Sequence, residues 1–310
     1  MANAQVRDVQ LDALKALAIS AVIVCHTEIL HVPRSLPNLH FTLAVASRLL
    51  CFAVPIFCLV SLILFYCKGA PMRRRLTRLV RIYCIWTGAQ TVLSLFLAEG
   101  AWNWKYLILG GPPLIFVGNS VFYFLSALIV LTFLAGLLMR VAHARIYAWL
   151  GVVGALAWYE TCQILNWQIP YWRPDGLVIW VFLAYLLKDS SPQGIIRVVL
   201  VLAPIVLLIH DRVLWYWGCN SSNYGSVFIV SLAVSLYLIV RAIPTGMIPG
   251  IATLMSRYSL GLFAVHQWII LAAWPLHTYP AVFVPVVILV TAGVVALLGS
   301  VRPLRVYVGG

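Results

Sequence analysis

The sequence predicts an all-α fold, a polytopic membrane protein of about ten transmembrane helices. Three observations carry this. The 310 residues are 63% hydrophobic and only 9% charged, whereas a soluble domain carries about 25% charged residues. The mean hydropathy is +1.00, so lipid must solvate much of the surface. The apolar residues fall in continuous runs of roughly 17–25, the length a helix needs to cross a hydrocarbon core. An outer-membrane barrel would instead show segments of about 10 residues that alternate apolar and polar.

In chain order the predicted spans are 9–30, 43–66, 79–98, 119–139, 146–165, 176–188, 195–210, 224–240, 257–274 and 281–300. The sixth and seventh are the shortest. The net charge of +13 does not imply nucleic acid as a partner, because the basic residues sit between apolar runs. They follow the excess of Lys and Arg in cytoplasmic loops. With the N-terminus inside, the inner side collects Arg7, Lys15, Lys68, the cluster Arg73 to Arg81, Arg140, Arg145, Lys188, Arg197, Arg241, Arg257, Arg302 and Arg305. The outer side holds only Arg34, Lys105, Arg173 and Arg212. Both termini are therefore expected in the cytoplasm. The whole chain, 1–310, reads as one membrane domain with no appended soluble domain, no cleavable signal peptide and no visible internal repeat.

Tryptophan leans to the outer side, at Trp102, Trp104, Trp158, Trp167, Trp172, Trp215, Trp217 and Trp274. An interfacial aromatic belt accounts for such residues, and so does a surface on which sugar rings stack. The 7 cysteines are scattered without a C-x-x-C pair. They predict neither a disulfide framework nor a metal site.

Four polar features interrupt the apolar pattern. The first is the stretch LDALKALAISAVIVCH, Leu11 to His26. Lys15 and His26 are eleven residues apart, which returns a helix to almost the same face. Asp8, Asp12 and Lys15 follow at spacings of four and three and share it. Lys15 then lies near the cytoplasmic edge, with His26 roughly 16 Å deeper. A snorkelling lysine and a structural histidine would explain either residue alone. The aligned set favours function, since ionisable groups inside a membrane face a cavity or a partner and histidine titrates near neutral pH. Glu28 does not share a helix face with His26 and would orient it only if the helix ends there.

The second is the segment MRRRLTRLVRIY, Met72 to Tyr83, read as a loop, with Arg73, Arg74, Arg75, Arg78 and Arg81 within nine residues. It suits either anionic lipid or a phosphorylated cosubstrate, because guanidinium groups bind phosphate bidentately. The third is Arg48, inside a span kinked by Pro55. A buried arginine needs an acceptor, either Glu28 or substrate. The fourth is SRYSLGLFAVHQWII, Ser256 to Ile270, which places His266 about 13 Å along a helix from Arg257. Its depth then matches that of His26, and two histidines on separate helices could line one cavity.

Together these residues resemble the acyltransferase-3 family of integral membrane acyltransferases. Arg7, Asp12 and His26 in RDVQLDALKALAISAVIVCH match the family's opening motif, with Lys15 in place of its usual arginine. Further matches are AVPIFCLVS (Pro55, Phe57, Ser61), RLVRIY, GNSVFYFLSAL and YSLGLFAVH, with Leu62 where the family usually has glycine. The resemblance implies O-acetyl transfer from acetyl-CoA, a cosubstrate, to a hydroxyl of an extracytoplasmic or lipid-linked glycan such as lipopolysaccharide O-antigen or exopolysaccharide. It implies a multi-pass protein of the bacterial inner membrane, and no metal. In that scheme His26 is the general base or the acyl carrier. Arg48 or His266 stabilises the oxyanion. Lys15 and the five arginines receive the CoA phosphates, and Asp12 holds Lys15. A transporter or flippase of a glycan or anionic small molecule is the competing class. A structural subunit of a glycan-assembly complex is a weaker third reading, since it gains nothing from buried titratable groups.

Overall fold

The computed structural model describes residues 8–27, 45–69, 71–97, 123–167, 169, 173–189, 193–216, 224, 226–276, 279–302 and 304–308. Among these, every regular element is helical. Helix α1 spans Val9–His26. Asp8 caps it from an extended backbone, its carboxylate accepting from Leu11 N–H at 3.1 Å. That satisfies one of the donors a helix start leaves open. Leu14, Ile19 and Ile23 face the core and are almost fully buried.

Residues 45–50 are helical, residues 51 and 52 form a turn, and α2 then spans Ala53–Lys68. Pro55 accounts for the break, because it has no N–H to donate to the preceding turn. Gly69 at φ 56° ends α2 in the left-handed conformation that glycine tolerates best.

Helix α3 then spans Met72–Leu97. This corrects the sequence reading of Met72 to Tyr83 as a loop: the arginines form the opening turns of a helix. Arginine and leucine are good helix formers, and the Pro71 carbonyl accepts from Arg75 N–H at 3.2 Å. Helices α4 (Tyr123–Leu138) and α5 (Ala144–Ile164) follow. The predicted span 176–188 is divided, a 3-10 turn over Pro174–Leu177 leading into α6, Ile179–Leu187. Helix α7, Gly194–Tyr216, runs longer than predicted despite Pro204 inside it. Helix α8 is Val227–Val240.

The predicted span 257–274 is also two pieces. Helix α9 is Gly250–Arg257 and α10 is Ser259–Ala273. Arg257 and His266 therefore belong to different helices. Helix α11 spans Pro280–Ser300, and α12 is the short turn Arg305–Val308.

Against the ten expected spans, 4 helices among the described residues are long and apolar enough to cross a membrane: Val9–His26, Val45–Cys67, Gly194–Val213 and Val282–Ser300. Tyr123–Leu138, Pro174–Leu187, Val227–Val240 and Ser259–Ile270 are apolar but shorter. Side chains such as Val206 and Leu289, 67% and 70% exposed, leave α7 and α11 with open apolar surface. Such contiguous surface calls for lipid or a partner.

The chain forms two compact units. One contains residues 1–57, 192–204 and 231–310. In it α1 packs against α9, α10 and α11, and α10 against α11 and α12, around Leu14, Ile19, Ile56, Phe283 and Val287. The other contains residues 58–191 and 205–230. In it α3 packs on α4, α5 on α6, and α4 on α6, around Leu59, Leu62, Leu131 and Trp180. Leu62, where the family usually has glycine, is fully buried there.

Candidate functional site

In the first unit, α1 and α10 bring two histidines together. His26 is the last residue of α1, and His266 lies midway along α10. Their rings are 5.0 Å apart between centroids, and His266 Nε2 is 3.0 Å from His26 Nδ1. His266 is fully buried, whereas His26 is exposed. The other nitrogen of His266, Nδ1, lies 2.6 Å from the carbonyl oxygen of Phe263. The Phe263 ring sits edge-on to His266 at 5.6 Å and to Phe57 at 6.4 Å. The Phe263 ring thus packs directly on the buried imidazole. Both ring nitrogens of His266 are thus engaged, leaving no N–H for an oxyanion.

The start of α1 is tied down within the same unit. The Asp8 carboxylate that caps the helix also meets Arg241 at 2.7 Å. Gln10 Nε2 donates to the carbonyls of Arg241 and Ile243 at 3.1 and 2.7 Å. Asp12 is buried and accepts from Ser256 Oγ at 2.6 Å. Lys15 is half-buried. The sequence reading missed Ser256, Gln10 and Arg241. Ser256 opens a stretch already notable for polar residues in an apolar run. The partner of Gln10 is a loop backbone, which leaves no sequence signal. Arg48 is 8% exposed, at the end of the 45–50 helical segment. Glu28 lies outside the described residues, as do Arg7, Trp102, Trp104, Trp172 and Trp217.

In the second unit, α3 divides the arginines. Arg73, Arg74, Arg78 and Arg81 are exposed, and Arg74, Arg78 and Arg81 share one helix face by their spacing. Arg75 turns inward. Its Nη2 donates to the Ser61 carbonyl at 2.8 Å and to Ser61 Oγ at 2.7 Å, and its guanidinium lies 5.0 Å from the Phe65 ring centre. Burial, and secondarily the neighbouring Arg78 charge, pushes the Arg75 pKa down to about 10. It remains a cation at neutral pH. Arg75 therefore joins α3 to α2, whereas the other four arginines stay exposed.

Comparison with known proteins adds one finding. A family described as an acyltransferase domain matches residues 8–302, nearly the whole chain.

The chain belongs to the acyltransferase-3 family.

No curated protein and no solved structure matches it. An accessible imidazole held from behind is what proton transfer to or from a hydroxyl requires. The family's opening motif places its histidine at His26, the exposed member of the pair.

Proposed function

We propose that the protein is a membrane O-acetyltransferase moving an acetyl group from cytoplasmic acetyl-CoA to a hydroxyl of an extracytoplasmic or lipid-linked glycan. It is read as a resident of a bacterial inner membrane. The observation that carries the reading is the pairing of an exposed His26 with a fully buried His266 in a chain of this family.

His26 acts as general base. It takes the proton of the acceptor hydroxyl while that oxygen attacks the thioester carbonyl. The new C–O bond forms, the tetrahedral intermediate collapses, and the C–S bond breaks. The CoA thiolate leaves and recovers the proton from His26. Acyl transfer through His26 itself is the covalent variant of the same scheme. Arg48 is the cation assigned to the oxyanion. Arg73, Arg74, Arg78 and Arg81 are the cations assigned to the pyrophosphate and 3′-phosphate of CoA. The pantetheine arm, about 15–20 Å when extended, spans a distance like the roughly 16 Å rise from Lys15 to His26 along α1.

The test is acetyl transfer from labelled acetyl-CoA to the glycan fraction by membranes carrying the wild type, His26→Ala or His26→Asn. Transfer is expected to be lost in both variants while the protein stays folded. Wild-type transfer by either folded variant sinks the assignment.

A further inference from the structure

We infer that His266 is a positioning residue that keeps the proton of neutral His26 on Nδ1 and so presents Nε2 as the free base. The functional part of this rests on the acyltransfer reading above. The placement of the proton rests on geometry alone.

The Phe263 carbonyl, His266 and His26 form one line of contacts. The Phe263 carbonyl oxygen can only accept a hydrogen bond. At 2.6 Å it would repel a lone pair, so His266 Nδ1 carries a hydrogen. In a neutral imidazole the other nitrogen is then an acceptor. That nitrogen is Nε2, 3.0 Å from His26 Nδ1, so His26 Nδ1 must be the donor. With its proton there, neutral His26 has its lone pair on Nε2.

The competing arrangement protonates His266 at both nitrogens and reverses the bond. It would place a cation on a fully buried side chain with a backbone carbonyl and a neutral imidazole as its ring-nitrogen partners. A buried charge without a counter-charge is far more costly than a choice between tautomers.

The contact does specific work. A neutral imidazole in water carries its hydrogen mainly on Nε2. Without His266, only the Val22 carbonyl one turn back on α1 would hold that hydrogen, and His26 would shift toward the Nε2–H form, its lone pair turning back to the protein. The arrangement resembles an orienting carboxylate behind a catalytic histidine in its geometry. It differs in charge, because a neutral ring adds no negative charge to the site. Orientation and tautomer are then the main contribution of His266. His26 is the residue that touches substrate, and His266 acts through it.

The measurement is the tautomer of His26 in the full chain, labelled with 15N-histidine and held in detergent micelles. Two-bond proton–nitrogen correlations distinguish the forms, and a His26→Gln sample identifies its signals among the 7 histidines. Wild type is expected to show hydrogen on Nδ1 of His26. His266→Leu is expected to move it to Nε2. In parallel, thiol release from acetyl-CoA should fall about 100-fold in kcat in His266→Leu, the lower end of what a positioned base supplies, with KM for acetyl-CoA unchanged. His266→Gln offers an acceptor where Nε2 stood and should recover at least about a tenth of the rate. A wild-type His26 with its hydrogen on Nε2 overturns the inference, even if His266→Leu does not fold. So does a folded His266→Leu with the wild-type tautomer. The expected tautomer in a wild type that never releases thiol counts against acyl transfer and leaves the placement of the proton standing.

Discussion

Replacing Arg75 by alanine should lower stability without touching the donor site. Replacing Arg74 or Arg78 should do the reverse. Arg75 donates twice from Nη2 to Ser61 and stacks on Phe65. A hydrogen bond from a charged group contributes about 1.5–3 kcal/mol net. A cation over an aromatic ring adds roughly 0.5–1 kcal/mol. Two bonds from one nitrogen are not two full increments, so the loss is about 2–4 kcal/mol. Arg74 and Arg78 are exposed, and exposed charges contribute about 0–1 kcal/mol. The assay is thermal unfolding in detergent, with and without millimolar acetyl-CoA. Arg75→Ala should melt several degrees below wild type and keep its ligand-induced rise. Arg74→Ala and Arg78→Ala should melt with wild type and lose part of that rise, since a ligand that binds only the native state stabilises it by mass action. A folded Arg75→Ala that melts with wild type and loses the acetyl-CoA shift would refute the reasoning. Arg75 would then face ligand rather than Ser61.

The remaining predictions concern the first unit. Asp8→Ala should cost about 1 kcal/mol, chiefly the lost cap, whereas Arg241→Ala should cost less. The Asp8–Arg241 pair is about one-third exposed on both sides and is worth little once screened. A pair of melting curves and their double mutant checks the order. Ser256→Ala leaves the buried Asp12 carboxylate without its 2.6 Å donor. The expected loss is about 1–3 kcal/mol, and unchanged melting would show that the contact carries no weight. Gly261→Val should destabilise by about 1–3 kcal/mol through overpacking. A Cβ at Gly261 would meet Val308 Cβ at 2.8 Å, Val295 Cγ1 at 2.9 Å and the Val308 Cα at 3.2 Å. A variant as stable as wild type would mean that α12 moves away freely.

The sequence by itself determined the class of molecule. Hydropathy is summed over many residues, so a helix such as Val9–His26 is legible from its composition alone. The helix that carries Asp12, Lys15 and His26 was equally legible, because an unbroken helix has a known period; Asp8 caps it from an extended backbone. So was the candidate pair of histidines, since each is a titratable residue in an apolar run.

Only the tertiary structure decided what those residues meet. His26 and His266 are 240 positions apart, and no local spacing says that their rings touch or which nitrogens face each other. The five arginines look alike in sequence. One helical turn separates the inward Arg75 from exposed Arg78, and the presence of Ser61 and Phe65 beside Arg75 makes that choice. The arginine segment read as a loop because clustered charge suggests water. Helix formation instead follows backbone propensity and a proline start, which tolerate charge on an exposed face. The division of the predicted span 257–274 at Tyr258 and the short helix Gly250–Arg257 were hidden for a related reason. Hydropathy averages over a window longer than one helical break. The physical distinction is between periodicity, which a chain carries along its own length, and contact, which depends on which faces pack and so appears only once the helices are placed.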